Sequence, residues 1–259
     1  MTDSTVLLHG FTGSSSSWNP VRKALGAVGG SVSAIDLPGH GARSGEADPR
    51  AFSLATTLEG VDASFSAVGG QRNLVGYSMG GRIALHYAHR NPDRLDRLVL
   101  EAASPGLADE RERAERVAAD ERLADALERD GIEKFVDRWE ALPLFATQSA
   151  LPEAIRAELR ERRLLARPSG LASALRVLGT GRLPSLWDAL PGIEVPALVL
   201  VGGLDAKFLE IGERMVGLLP RAYLHVVPDA GHAVHLERPD AWAGAVGDFL
   251  GRPPRLDHD

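Results

Sequence analysis

Short apolar runs alternate with amphipathic stretches along this chain, and no other feature restricts its fold so strongly. The runs cover residues 5–8, 32–35, 73–75, 95–100, 197–201 and 223–227. They read as strands buried on both faces of a sheet. Most end in Gly, Asp or Ser and lead into helix-like patterns near residues 18–28, 53–68, 79–90, 210–219 and 239–250. Pro239 opens the last of these, a position where its missing N–H costs nothing. Strand followed by helix, repeated, builds a mostly parallel sheet covered by helices, an α/β fold. With 259 residues, 44% of them apolar and 25% charged, the chain can enclose such a core.

The alternation stops between about residues 108 and 187. A charged, Ala/Leu-rich helix is expected over 111–129 and a shorter one over 132–141, and Pro143, Pro152, Pro168 and Pro184 punctuate the remainder. An insertion between two strands at the carboxyl edge of a sheet covers the crevice where such sheets bind ligands. Residues 108–187 therefore read as a helical lid on one core made of residues 1–107 and 188–259. The serines at 14–17 read as a polar loop, and residues 252–259 as a frayed tail.

Composition removes several classes of function. The net charge of −6 offers no global basic field for nucleic acid. The absence of cysteine excludes disulfides, thiolate metal sites and a cysteine nucleophile, and suits a cytoplasmic protein. Met1-Thr2-Asp3-Ser4 has no basic leader character, and no stretch is long and apolar enough to span a bilayer. His9, His40, His232 and His235 lack metal-ligand spacing, so neither metal nor cofactor is expected. Nothing in the sequence sets an oligomeric state.

The sharpest local signal is Gly76-Tyr77-Ser78-Met79-Gly80-Gly81, placed between a strand and a helix. A G-x-S-x-G turn in that setting exposes its serine at the sheet edge, beside the positive end of a helix. A serine hydroxyl needs a base, and the base needs an orienting acid. Asp205 and His232 follow later strands, in the order Ser, Asp, His, and at the same edge as Ser78. His235 is the second choice for the base. Two backbone N–H groups should hold a developing oxyanion: that of Met79, after the serine, and that of Phe11, in His9-Gly10-Phe11-Thr12-Gly13. His9 itself reads as a structural loop histidine. Arg82 lies one helical turn after Ser78, on roughly the same face. Between residues 155 and 184 seven arginines face two glutamates and no Asp or Lys, which suits a small anionic substrate held by guanidinium forks.

Leu8-His9-Gly10-Phe11, Asp36-Leu37-Pro38-Gly39-His40-Gly41, Gly76 to Gly80, Asp205 and Gly231-His232 together resemble the α/β-hydrolase superfamily across nearly the whole chain. By that resemblance the chain begins at the family's third strand, so the sheet should be shorter than usual. Less generic segments narrow it. Ala103-Ser104-Pro105-Gly106-Leu107, Trp139-Glu140-Ala141-Leu142-Pro143-Leu144-Phe145, Gly179-Thr180-Gly181, Pro184-Ser185-Leu186-Trp187 and Asp205-Ala206-Lys207-Phe208 are similar to the 2-succinyl-6-hydroxy-2,4-cyclohexadiene-1-carboxylate synthases of menaquinone biosynthesis. That resemblance implies a lyase that eliminates pyruvate, using Ser78, His232 and Asp205 for proton transfer. It implies that Tyr77, Arg82, Arg116, Trp139 and Arg160 line the substrate site. In that family a Gln is expected where this chain has Leu183. An ordinary carboxylesterase or carbon–carbon bond hydrolase would use the same three residues.

Overall fold

The computed structural model describes residues 2–27, 30–65 and 69–251. In chain order it contains β1 (Thr2–Leu8), α1 (Asn19–Ala27), β2 (Ser31–Ile35), α2 (Leu54–Ala63), β3 (Gly69–Tyr77), α3 (Met79–Arg90) and β4 (Arg97–Glu101). Four helices follow without a strand: α4 (Glu110–Asp130), α5 (Ile132–Glu140), α6 (Glu153–Leu164) and α7 (Pro168–Leu178). The alternation then resumes with β5 (Ala197–Gly202), α8 (Ala206–Val216), β6 (Ala222–Val227), the short α9 (Val234–Glu237) and α10 (Pro239–Gly251).

The strands form one six-stranded sheet in the order β2-β1-β3-β4-β5-β6, and every pairing is parallel. Successive side chains of a strand point to opposite faces, and the core divides accordingly. Val6, Leu8, Leu98, Leu100, Val199 and Val201 pack with Leu58 and Val61 of α2, Ile83 of α3 and Met215 of α8. Leu7, Val99, Leu198 and Leu200 face the other way, onto Val21 of α1 and Trp242 and Val246 of α10. Trp18 and Trp242, both fully buried, meet there at 5.6 Å between ring centroids.

Several boundaries differ from the sequence reading. β3 begins at Gly69 rather than 73, β4 runs from Arg97 to Glu101 rather than 95–100, and α8 starts at Ala206 rather than 210. The serines at 14–17 enter a 3-10 turn, Ser15–Trp18, that leads into α1. The expected helix ends at 28 and at 66–68, and the tail at 252–259, lie outside the described residues.

Helices α4 to α7 carry a small core of their own, in which Ala124 and Leu127 meet Phe135, Val136, Leu171 and Leu175. Phe11, from the loop after β1, packs against both this cluster and the main core. The insertion is thus seated on the sheet's carboxyl edge. The register levels that edge, since Leu8 pairs with Gly76, Tyr77 with Glu101 and Gly202 with Val227. Loops leaving β1, β3, β5 and β6 therefore emerge side by side.

Candidate active site

Ser78 occupies the turn between β3 and α3, with φ 51° and ψ −107°. A left-handed conformation is costly for a residue with a side chain, and the surroundings hold it in place. The Ser78 N–H donates to the Glu101 carbonyl at 2.9 Å, and its own carbonyl accepts from Arg82 N–H at 3.0 Å. Gly80 is required because a Cβ there would strike the Leu8 carbonyl, so α3 starts directly against the end of β1.

The His232 ring is bonded on both sides. Its Nδ1–H donates to Asp205 Oδ2 at 2.6 Å, which leaves Nε2 as the acceptor 3.1 Å from Ser78 Oγ. His232 and Asp205 are buried, at 2% and 8% exposure. Asp205 also caps α8, because its Oδ1 accepts from Phe208 N–H at 3.3 Å. Phe208, Tyr77 and Phe145 surround the imidazole at centroid distances of 4.5, 5.4 and 6.1 Å. Burial, with the Glu101 carboxylate nearby, raises the Tyr77 hydroxyl well above its usual range, so it stays protonated. His235, the alternative base, is engaged elsewhere. Its Nδ1–H and its backbone N–H both donate to Glu101 Oε1, at 2.8 and 3.0 Å.

Met79 is the first residue of α3, so its N–H has no acceptor within the helix. Phe11 lies in the loop after β1, and both residues line the same cavity as Ser78. His9 shapes that loop from below. It is fully buried and donates through Nδ1 to the Gly10 carbonyl at 2.8 Å, while Nε2 accepts from Leu37 N–H at 3.0 Å. Burial pulls its pKa down to about 4 despite the Gly10 bond, so it is neutral at pH 7. The structural reading of His9 matches these bonds.

The cavity between sheet edge and insertion measures about 870 Å³. Ser78, Asp205 and His232 line it, as do Tyr77, Arg82, Arg116 and Trp139. Arg82 is 8% exposed, and its Nη2 donates to the Leu178 carbonyl at the end of α7 at 3.1 Å. Burial, then the neighbouring Arg116, lowers its pKa to about 10, so it remains cationic. Its Nε is buried without a hydrogen-bond partner. Arg116 donates from Nε to Asp120 Oδ1 at 2.8 Å.

Arg160 does not join them. It is absent from the cavity lining and turns to Asp137 at 2.6 Å and Glu140 at 2.8 Å, 40% exposed. Arg163, three residues on, does line the cavity. It shares Glu140 with Arg160, donates to Gln148 Oε1 at 3.2 Å and lies over the Phe145 ring at 5.7 Å. Arg162 also reaches the cavity wall and donates to the Ser16 carbonyl at 2.9 Å. Of the Arg160-Glu161-Arg162-Arg163 run, the structure thus brings Arg162 and Arg163 to the cavity and leaves Arg160, expected there from the sequence, outside its lining. Leu183 is buried and does not line the cavity. No helix among the described residues is long and apolar enough to cross a membrane, and no cluster of three His, Asp or Glu among them could hold a metal ion.

A parallel sheet with a serine on a strained strand-to-helix turn, backed by an imidazole and a carboxylate, defines a class, and comparison with known proteins agrees. The α/β-hydrolase family model matches residues 5–245, and the chain belongs to that family. Within it, the chain is 39% identical to a Bacillus subtilis (strain 168) protein provisionally named 2-succinyl-6-hydroxy-2,4-cyclohexadiene-1-carboxylate synthase, over 96% of this chain and 90% of the relative. The Serratia proteamaculans (strain 568) protein of that name is 35% identical, over 96% and 93%. Among solved structures, MenH from S. aureus superposes with a TM-score of 0.89 at 35% identity, covering 96% of this chain and 93% of that one.

Proposed function

We propose that this chain is a carbon–oxygen lyase. It converts 2-succinyl-5-enolpyruvyl-6-hydroxy-3-cyclohexene-1-carboxylate to 2-succinyl-6-hydroxy-2,4-cyclohexadiene-1-carboxylate and pyruvate, in menaquinone biosynthesis. The observation that carries this reading is the chain's 39% identity, over nearly its full length, to a relative bearing that product's name. The site geometry supports it. Ser78 Oγ, relieved of its proton by His232 Nε2, takes the ring proton beside the succinyl ketone, and Asp205 stabilises the imidazolium. The C–H electron pair becomes the C2=C3 bond, the C3=C4 pair moves to C4=C5, and the C5–O bond breaks. The leaving enolpyruvate takes up the proton and becomes pyruvate. No water is consumed and no acyl-enzyme forms. Charge that builds on the ketone oxygen meets the N–H groups of Phe11 and Met79.

The substrate's carboxylates call for fixed cations in a dry wall. Arg82 is the strongest candidate, because among the described residues no carboxylate ion-pairs with it. Arg116 and Arg163 line the same cavity, and Tyr77 and Trp139 supply flat apolar surface for the ring. In this reading helices α4 to α7 act as the lid that excludes water, and residues 1–107 and 188–259 are the core beneath it. A cytoplasmic location suits a chain without cysteine.

The test supplies the enolpyruvyl-succinyl-cyclohexene substrate and follows pyruvate release together with diene absorbance, in wild type and Ser78→Ala. Equal amounts of pyruvate and diene, lost in the variant, are expected. Turnover of p-nitrophenyl esters with no pyruvate from the cyclohexene would overturn the lyase reading in favour of a hydrolase.

A further inference from the structure

The loop that carries His232 is held by two buried carboxylates that do not touch the serine. Glu237, the last residue of α9, is 6% exposed. Its Oε2 accepts from Gly231 N–H at 2.7 Å, and its Oε1 from Ala233 N–H at 3.3 Å. One carboxylate thus straddles His232, bonded to the residue before it and the residue after it. Among the described residues no Lys or Arg forms an ion pair with this carboxylate. A carboxyl group kept in the interior is expensive unless its oxygens are hydrogen-bonded, and here the bonds come from the two amides that flank His232.

Glu101 supplies the second anchor. Its Oε1 takes the His235 N–H and ring Nδ1–H, its Oε2 takes Trp242 Nε1–H at 2.8 Å, and its carbonyl takes Ser78 N–H. The nucleophile turn and the base loop therefore hang from one residue of β4. The fit leaves no slack on the other sides. A Cβ on Gly231 would strike the Thr147 side chain from the insertion, and one on Gly202 would strike the Gly231 carbonyl. Asp205 sets the ring's tautomer and angle, but it cannot fix the backbone from which the ring projects.

We propose that Glu237 is a positioning residue for His232, holding the imidazole at hydrogen-bond distance from Ser78 by bonding both flanking amides. The proposal rests on the reading of His232 as the base. Glu237→Gln replaces one acceptor oxygen with an NH2 group, so one of the two amides loses its partner. Displacing a reacting group by about 1 Å costs about 100-fold in rate. The expected result is a fall of that order in kcat, with KM changed by less than about threefold because the cavity wall is untouched.

Two readouts separate positioning from a merely structural role. The rate at which a fluorophosphonate probe labels Ser78 should fall in parallel with kcat. The downfield proton NMR signal of the His232 Nδ1–H bond to Asp205, assigned by its loss in Asp205→Asn, should broaden or shift. Labelling needs no substrate. A wild type that labels quickly yet releases no pyruvate would sink the lyase reading alone, and the brace would still be tested. Unchanged kcat and labelling in a folded Glu237→Gln protein would overturn the proposal, whatever its melting temperature. Should that variant fail to fold, amide hydrogen exchange in the wild type decides. Slow exchange at both Gly231 and Ala233 supports the brace, and fast exchange at either refutes it.

Discussion

The two walls of the cavity are built on different terms. On the sheet side, Ser78, His232 and Asp205 follow the ends of β3, β6 and β5, and each polar atom hands on to the next. On the insertion side the arginines are mostly spent on neighbours. Arg116 and Arg163, which line the cavity, pair with Asp120 and Glu140; outside the lining, Arg160 pairs with Asp137 and Glu140, Arg176 with Glu121, Asp125 and Glu128, and Arg182 with Glu121. A sheet positions a side chain through strand register, which leaves little choice. A surface helix positions one through phase and competing acids, which leaves a great deal. Chemistry should therefore collapse when the sheet wall is altered, while the insertion wall should grade from sensitive to indifferent, residue by residue.

The largest effect is expected from Asp205→Asn. The amide frees the imidazole to place its proton on Nε2, where it faces Ser78 and cannot accept. Loss of about 10³- to 10⁴-fold in kcat is expected, from pyruvate assays at saturating substrate, with KM little changed. Asp205 also caps α8, so a melting curve should accompany the assay; Asn retains that cap, and the helix should survive. A variant with near wild-type kcat would break the claim that the sheet wall does the chemistry.

Arg82 sits between the walls, on α3 but bonded to the end of α7. Arg82→Lys keeps the charge and loses the fork. We expect KM to rise about 10- to 100-fold, matching the roughly 1.5–3 kcal/mol of a charged hydrogen bond, with a smaller change in kcat. An unchanged KM would remove Arg82 from substrate binding and leave it as a strut between core and insertion.

The sheet wall should also leave a mark on stability against pH. His9 and His40 lie under the Phe11 loop, and burial lowers them to about 4 and about 3. In the unfolded chain both take up protons near pH 6.5. The unfolded state thus binds more protons below that pH, and stability declines as pH falls. It is fully present above about 6.5 and should drop by about 1.4 kcal/mol per pH unit for each histidine down towards the folded values. Urea unfolding between pH 8 and pH 5 reads this directly, and a flat profile would show that neither ring is held neutral. His9→Asn should flatten part of the slope, because it removes the titrating group beneath the loop.

The same contrast explains what the sequence disclosed. The turn at Ser78, the order of Asp205 and His232 and the six strands were legible, because strand ends and tight turns are written in a few adjacent residues. The start of β3 was not. Residues 69–72, Gly-Gly-Gln-Arg, carry no apolar side chain, yet the stretch pairs with β1 through its backbone, and Gln71 N–H donates to Asp3 Oδ1 at 2.9 Å. Asp205 reads from the sequence as a possible helix cap as well as a site residue, and α8 does begin directly after it, four residues before the expected start at 210. Glu237 was invisible for another reason. In Leu236-Glu237-Arg238-Pro239 it resembles a solvated helix end, and only the closure of the loop turns its carboxylate inward.

Arg160 and Arg163 give the smallest and sharpest test, because they are neighbours on α6 that share one acid, Glu140. Arg160 is 40% exposed, and its pairs are worth no more than about 1 kcal/mol together once solvent screens them. Arg160→Ala should leave kcat/KM within about twofold, inside the roughly 0.5 kcal/mol scatter of surface substitutions. Arg163 is 8% exposed and covers the Phe145 ring, which itself faces His232. Arg163→Ala removes a cavity cation and a ring contact at once, and should cost about tenfold or more in kcat/KM. The acid between them makes the comparison stricter. With Arg160 gone, Glu140 should draw harder on Arg163 and pull it away from substrate, so any effect of Arg160→Ala should appear in KM alone. An Arg160→Ala enzyme that loses kcat as well would place that residue, and not Arg163, at the working face of the insertion.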